Sequence, residues 1–162
     1  MIRQNRTIRT TAVLAILSLS LFQMSSAIAQ PPPKDPNRYV PGLGDLMGSL
    51  QVQHAKLWFA GEQQNWLLAA YSVDAIKEGV ADMVVLRPRY KGESIVEMLT
   101  LLTAKPLQAL EEAVEAKDSA LFMQAYDSLT EGCNVCHSKH DYGFIAIQRP
   151  TVPAWTNLRY RP

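Results

Sequence analysis

The sequence predicts an all-α protein, an antiparallel four-helix bundle with an extended C-terminal tail. Three observations carry that expectation. Between residues 42 and 140 apolar side chains recur at helical spacing in four blocks. Each block is bounded by a cap, a glycine or a proline. No segment alternates as a strand over a useful length; the one β-like stretch, Phe144 to Ile147, is short and lies between Gly143 and Pro150. Four helices joined by short loops favour antiparallel neighbours. A chain of 162 residues, 48% apolar and 19% charged, fits one ordinary globular domain and argues against both a large multidomain enzyme and wholesale disorder. A formal net charge of +1 is no footprint for nucleic acid, and two cysteines are too few for a disulfide scaffold.

The elements follow in order. Residues 1–29 read as a secretory signal peptide: Arg3, Arg6 and Arg9 precede an apolar run from Ala12 to Phe22, and Ala27-Ile28-Ala29 supplies the small residues of a cleavage site. The run is too short to span a bilayer, which takes about 20 residues, so the mature chain from Gln30 is expected in the bacterial periplasm. Cleavage removes three bases and no acid. The remainder has 13 bases against 15 acids, an acidic body over residues 30–148 and an acid-free end, residues 149–162, with Arg149, Arg159 and Arg161. That tail is either a solvated end or a strap on the body or a partner. Residues 30–41 hold five prolines and form an extended linker.

Leu43, Met47, Leu50, His54 and Leu57 share one face of a first helix, with Gly61 as the expected break. Asn65 caps a second helix carrying Trp66, Ala69, Val73, Ile76, Val80 and Met83, which ends before Pro88. Ser94-Ile95-Val96-Glu97 has the form of a capping box and opens the third helix, where Pro106 predicts a kink near Leu102. Asp118 caps the fourth, whose stripe runs Phe122, Ala125, Leu129, Cys133 and Cys136. The bundle is expected over residues 42–140, with the tail, residues 141–162, leaving the helix near Asp141.

Cys133-Asn134-Val135-Cys136-His137 is C-x-x-C-H, the attachment signature of c-type haem. Two thiols at this spacing add to the two vinyl groups of one haem as thioethers, and the histidine that follows supplies the proximal iron ligand. On a helix, cysteines at i and i+3 and a histidine at i+4 share a face. Three rival readings use the same residues. A disulfide oxidoreductase pair normally sits in a βαβ context, which is not legible here. A zinc site of Cys133, Cys136, His137 and His140 would be cramped against usual zinc spacings. A structural disulfide suits an oxidising compartment. No carboxylate pair, nucleophile triad or phosphate loop is visible, so turnover of an organic substrate is not expected.

A secreted four-helix pattern with C-x-x-C-H on its last helix resembles the class II cytochromes c, the cytochrome c-prime type, over about residues 42–140. The resemblance implies one haem c per chain and one-electron transfer. Its partners would be periplasmic or membrane redox proteins and the cytochrome c maturation machinery, and two chains would pair through the first two helices. It also implies that the first-helix residue facing the haem sets the chemistry. A methionine there makes an electron carrier; a bulky apolar residue leaves a five-coordinate iron open to gases such as nitric oxide, as in a sensor or scavenger. The chain departs from the family after the motif, where 25 residues follow His137.

Two residues of the first helix are distal-ligand candidates, Met47 and His54, seven residues or about 10 Å apart along the axis. Each also has a plain packing explanation, and an open site is the third alternative. Trp58, Trp66, Tyr71 and Tyr126 are candidate pocket walls, Lys56 and Lys139 candidate propionate partners. His140 is expected to be exposed. Arg87, Arg89 and Lys91 form a basic loop cluster, read as a docking patch or a solvated loop.

Overall fold

The computed structural model describes residues 39–153 and 157–162; the expected signal peptide and most of the proline linker lie outside them. The described chain is mostly helical: α1 (Leu43–Glu62), α2 (Trp66–Leu86), α3 (Ile95–Ala116) and α4 (Ser119–Lys139), with a two-residue hairpin of β1 (Arg89–Tyr90) and β2 (Glu93–Ser94) between α2 and α3. The hairpin falls in the segment expected to be a loop. Lys91 and Gly92, at φ +48° and +89°, form its two-residue turn, which takes positive φ at both positions. No helix among the described residues is long and apolar enough to cross a membrane.

The helix starts follow from their caps. Asn65 accepts from Leu68 N–H at 3.2 Å, Ser94 from Glu97 N–H at 3.3 Å, and Asp118 from Ala120 and Leu121 N–H at 2.8 and 3.0 Å. At α1 the cap is a glycine, and Asp45 on the first turn accepts instead from Gly42 N–H and from the Tyr39 hydroxyl. α1 packs on α2, α2 on α3 and α3 on α4, with a lighter contact of α1 on α4. The main core gathers Leu57, Ile76, Leu110, Phe122, Tyr126 and Leu129; a second cluster centres on Met83, Ile95, Met98 and Leu99.

Two glycines have tertiary reasons that periodicity does not reveal. Gly61 does not break α1, which runs on through it to Glu62. It is small because the Phe122 ring lies against it: a Cβ there would sit 2.1 Å from two ring carbons. On α4, a Cβ at Gly132 would lie 2.5 Å from the Leu102 carbonyl oxygen. That carbonyl is the one Pro106 leaves without its helical N–H donor. α3 stays one helix through Pro106, and α4 closes on it there through a residue with no side chain.

The tail is attached to the body. Arg149 donates to both carboxylate oxygens of Asp127 and lies 4.6 Å over the Trp58 ring. Arg161 donates to Gln63, and Tyr160 is buried against Phe59. The loop cations are engaged as well. Arg87 donates to the Val40 and Pro41 carbonyls, Arg89 to that of Gly92, and Lys91 lies over the Tyr90 and Tyr142 rings. Arg89 and Lys91 remain exposed, in keeping with a solvated loop.

Candidate cofactor site

α4 carries Cys133, Cys136 and His137 in its last two turns, and the helix ends immediately beyond them. Asp141 takes a left-handed conformation, φ +66°, and Tyr142 N–H reaches back to the His137 carbonyl at 2.8 Å while Asp141 N–H reaches that of Ser138. This is a Schellman ending. It reverses the chain so that residues 142–149 pass back along the helix that bears the motif.

All three motif residues line one cavity of about 320 Å³. Leu43, Met47, Leu50 and His54 of α1 and Ile76 and Val80 of α2 form part of its wall. Ile95, Met98, Leu99 and Leu102 of α3 and Ile145 and Ile147 of the tail form more of it. Its surface is overwhelmingly apolar, and Gly44 and Gly48 contribute open space on the α1 side. The aromatic wall is Tyr90 and Tyr142, whose hydroxyls are 2.6 Å apart. Trp58, Trp66, Tyr71 and Tyr126, expected as pocket walls, are not among its lining residues. Trp58 and Tyr126 belong to the main core, Trp66 packs on it, and Tyr71 is exposed. Lys56 is bonded to Gln53 and also lies outside the lining; Lys139 is 3.8 Å from Glu93.

His137 Nδ1–H donates to the Ile145 carbonyl at 2.7 Å. A carbonyl only accepts, so Nδ1 carries a proton, and the tautomer this selects for the neutral ring is the one with its lone pair on Nε2. Asn134 binds the tail one step further on: its Nδ2 donates to the Ile147 carbonyl at 3.0 Å, and its Oδ1 accepts from Ile147 N–H at 2.7 Å.

The two thiols are unpaired. Burial raises both above the ordinary thiol range, Cys133 to about 11. Reactive redox cysteines need the opposite shift. Cys136 Sγ lies 3.4 Å from Met98 Sδ, and His140 Nε2 lies 2.9 Å from the same sulfur. His140 is therefore packed rather than exposed, since its side chain wedges between Met98 and Glu93. Among the described residues no three His, Cys, Asp or Glu side chains assemble into a metal-holding group; the four-ligand zinc arrangement is not formed. Met98 went unnoticed in the sequence because a methionine on an apolar helix face reads as ordinary core.

The two distal candidates differ sharply. His54 is buried at 5% exposure, with both ring nitrogens committed. The Thr130 hydroxyl donates to the Tyr126 carbonyl, so at 3.0 Å it accepts from His54 Nε2–H; His54 Nδ1 then accepts from the Tyr126 hydroxyl at 2.9 Å. Burial lowers the His54 pKa to about 4, so the ring is neutral near pH 7. Met47 is half-buried against the second cluster, together with Cys136. Its sulfur has no competing hydrogen-bond partner among the described residues.

The donor set suits a c-type haem: two neutral thiols and one imidazole nitrogen with a free lone pair, on one helix face, opening into an apolar cavity. Comparison with protein-family models, with curated proteins and with solved structures finds no match.

Proposed function

We propose that the chain is a periplasmic monohaem c-type cytochrome that carries one electron at a time. Cys133 and Cys136 would hold the haem as thioethers and His137 would ligate its iron through Nε2. The observation that carries this reading is the His137 Nδ1–Ile145 carbonyl bond beside two thiols that line the same apolar cavity. A ligating histidine normally donates its second ring nitrogen to such a partner, which fixes the tautomer and orientation and raises the basicity of the ligating nitrogen. Haem iron supplies the one-electron chemistry when bound. The chain's own residues exclude water through the apolar wall, hold the imidazole, and set the surface on which membrane or periplasmic redox partners would dock.

An antiparallel bundle belongs to the same proposal, and contacts between α1 and α4 support it. His54 meets Tyr126 and Thr130, while Gly61 meets Phe122. Seven residues forward on α1 therefore match four to eight backward on α4. Continued the other way, that register brings Met47 level with the Cys133–His137 turn. Met47 is accordingly the proposed distal ligand. His54, about two turns further along, is a hydrogen-bonded core histidine.

The exported protein is expected to exceed the mass of the polypeptide from Gln30 by one haem and to give a pyridine haemochrome spectrum. A colourless, correctly processed preparation would overturn the reading. Replacing Met47 by Ala should abolish the far-red ferric band of sulfur–iron ligation and open the reduced protein to prompt carbon monoxide binding. His54→Gln should leave that band in place. If the wild-type protein already binds carbon monoxide promptly, the site is five-coordinate and the gas-binding reading replaces electron carriage.

A further inference from the structure

Between the two cysteines of C-x-x-C-H the intervening residues have no assigned chemistry, yet Asn134 is bonded on both edges of its amide. It donates to the carbonyl and accepts from the N–H of a single residue, Ile147, thirteen positions on. Asn134 and His137 stand three apart on α4, on neighbouring positions of one face. Ile145 and Ile147 stand two apart on the returning tail. The pairs match one to one: Asn134 with Ile147, His137 with Ile145. Next to them the tail has few other restraints. Residues 145–149 belong to no helix or strand, the Ile145 N–H is used in a turn to Tyr142, and Phe144 is 80% exposed. The next side-chain anchor is Arg149 on Asp127.

We propose that Asn134 is a positioning residue for His137: its two bonds to the Ile147 backbone hold the tail in the register that puts the Ile145 carbonyl on His137 Nδ1. The tail is thus a strap that sets the tautomer and orientation of the imidazole, and the motif residue Asn134 is its buckle. The helix alone does not provide this. The carbonyls nearest His137 on α4 are engaged in the helix and its Schellman ending, so the acceptor for Nδ1 comes from outside the helix. The inference deepens the haem reading, since a fixed Nδ1–H is what leaves Nε2 available to iron.

The test is nitrogen-15 histidine NMR of the full exported protein, reading the His137 ring tautomer and the solvent exchange of its Nδ1–H. In the wild type Nδ1 is protonated and exchanges slowly. Asn134→Ala removes both bonds to Ile147 and should accelerate that exchange about tenfold or more. Asn134→Asp keeps the acceptor for Ile147 N–H and should recover part of the protection. The buried Nε2–H of His54, bonded to Thr130, is the internal record that the core is intact. Unchanged His137 exchange in Asn134→Ala, with the His54 signal preserved, would overturn the proposal. So would a wild-type ring without a proton on Nδ1. If Asn134→Ala loses the His54 signal, Ile147→Pro takes its place, because it removes one of the same bonds from the tail side; no change in His137 exchange there also overturns the proposal. A preparation without haem refutes the cytochrome reading, yet still reports the His137 tautomer, so the two failures are distinguishable.

Discussion

Between pH 6.5 and about 4 the folded protein is expected to lose about 3 kcal/mol of stability through one residue, His54. Its ring is buried and neutral, held between the Thr130 hydroxyl, which accepts from Nε2–H, and the Tyr126 hydroxyl, which donates to Nδ1. Desolvation lowers its folded pKa from 6.5 to about 4. In the unfolded chain the ring takes up a proton near pH 6.5; in the folded chain it does not until about pH 4. Over that window the unfolded state binds more protons, so stability falls as pH falls and levels off below the folded value. A protonated ring would also have no lone pair for the Tyr126 hydroxyl. Urea unfolding midpoints across the window measure the effect. His54→Gln keeps one hydrogen bond and cannot protonate, so its midpoint should stay flatter with pH, from a starting stability lower by about 1–2 kcal/mol. A wild-type midpoint that does not move through this range would show that His54 is solvated.

Gly132→Ala is expected to destabilise the protein by about 2 kcal/mol, with a drop in Tm of several degrees. Two effects compete. In a helix interior alanine is favoured over glycine by about 1 kcal/mol. Against this, the new Cβ would lie 2.5 Å from the Leu102 carbonyl oxygen. A backbone oxygen cannot rotate aside as a side chain could, so α4 must move off α3, and overpacking of this kind costs about 1–3 kcal/mol or more. The steric cost wins. Because Cys133 is the next residue, the displacement also moves the first thiol, and under the proposed haem reading the yield of haem-bearing protein should fall with stability. The comparison is Gly48→Ala on α1, where a Cβ meets no protein atom within 4 Å; because Gly48 faces the cavity, the comparison is made on protein without a bound group, where only the propensity gain remains and the chain should become slightly more stable. Equal effects at the two sites, read by thermal unfolding, would refute the account of the α3–α4 contact.

Much of the helical architecture was legible because its causes are local. Asn65, Ser94 and Asp118 satisfy N–H groups two or three residues away, and the apolar stripe through Val73, Ile76 and Met83 follows from helical spacing. The same local reasoning failed where the partner is distant. Gly61 was expected to end α1, whereas its role is to admit Phe122 from α4. His140 was expected at the surface, but the hairpin carrying Glu93 and the α3 residue Met98 cover it. Of the aromatics that look suited to a pocket wall, Trp58 and Tyr126 went to the core, Trp66 packs on it and Tyr71 is exposed, while two tyrosines from the hairpin and the tail line the cavity.

The spacing of Cys133, Cys136 and His137 by itself determined the candidate chemistry, because two thiols and an imidazole within one helical turn share a face whatever the rest of the chain does. Which nitrogen of His137 holds the proton, whether His54 has a lone pair to offer, and what the tail is for depended on partners at the far side of the fold. A hydrogen bond is settled by the position of both its ends. Ile145, Thr130 and Tyr126 reach those positions only once the helices have packed and the chain has turned back at Asp141.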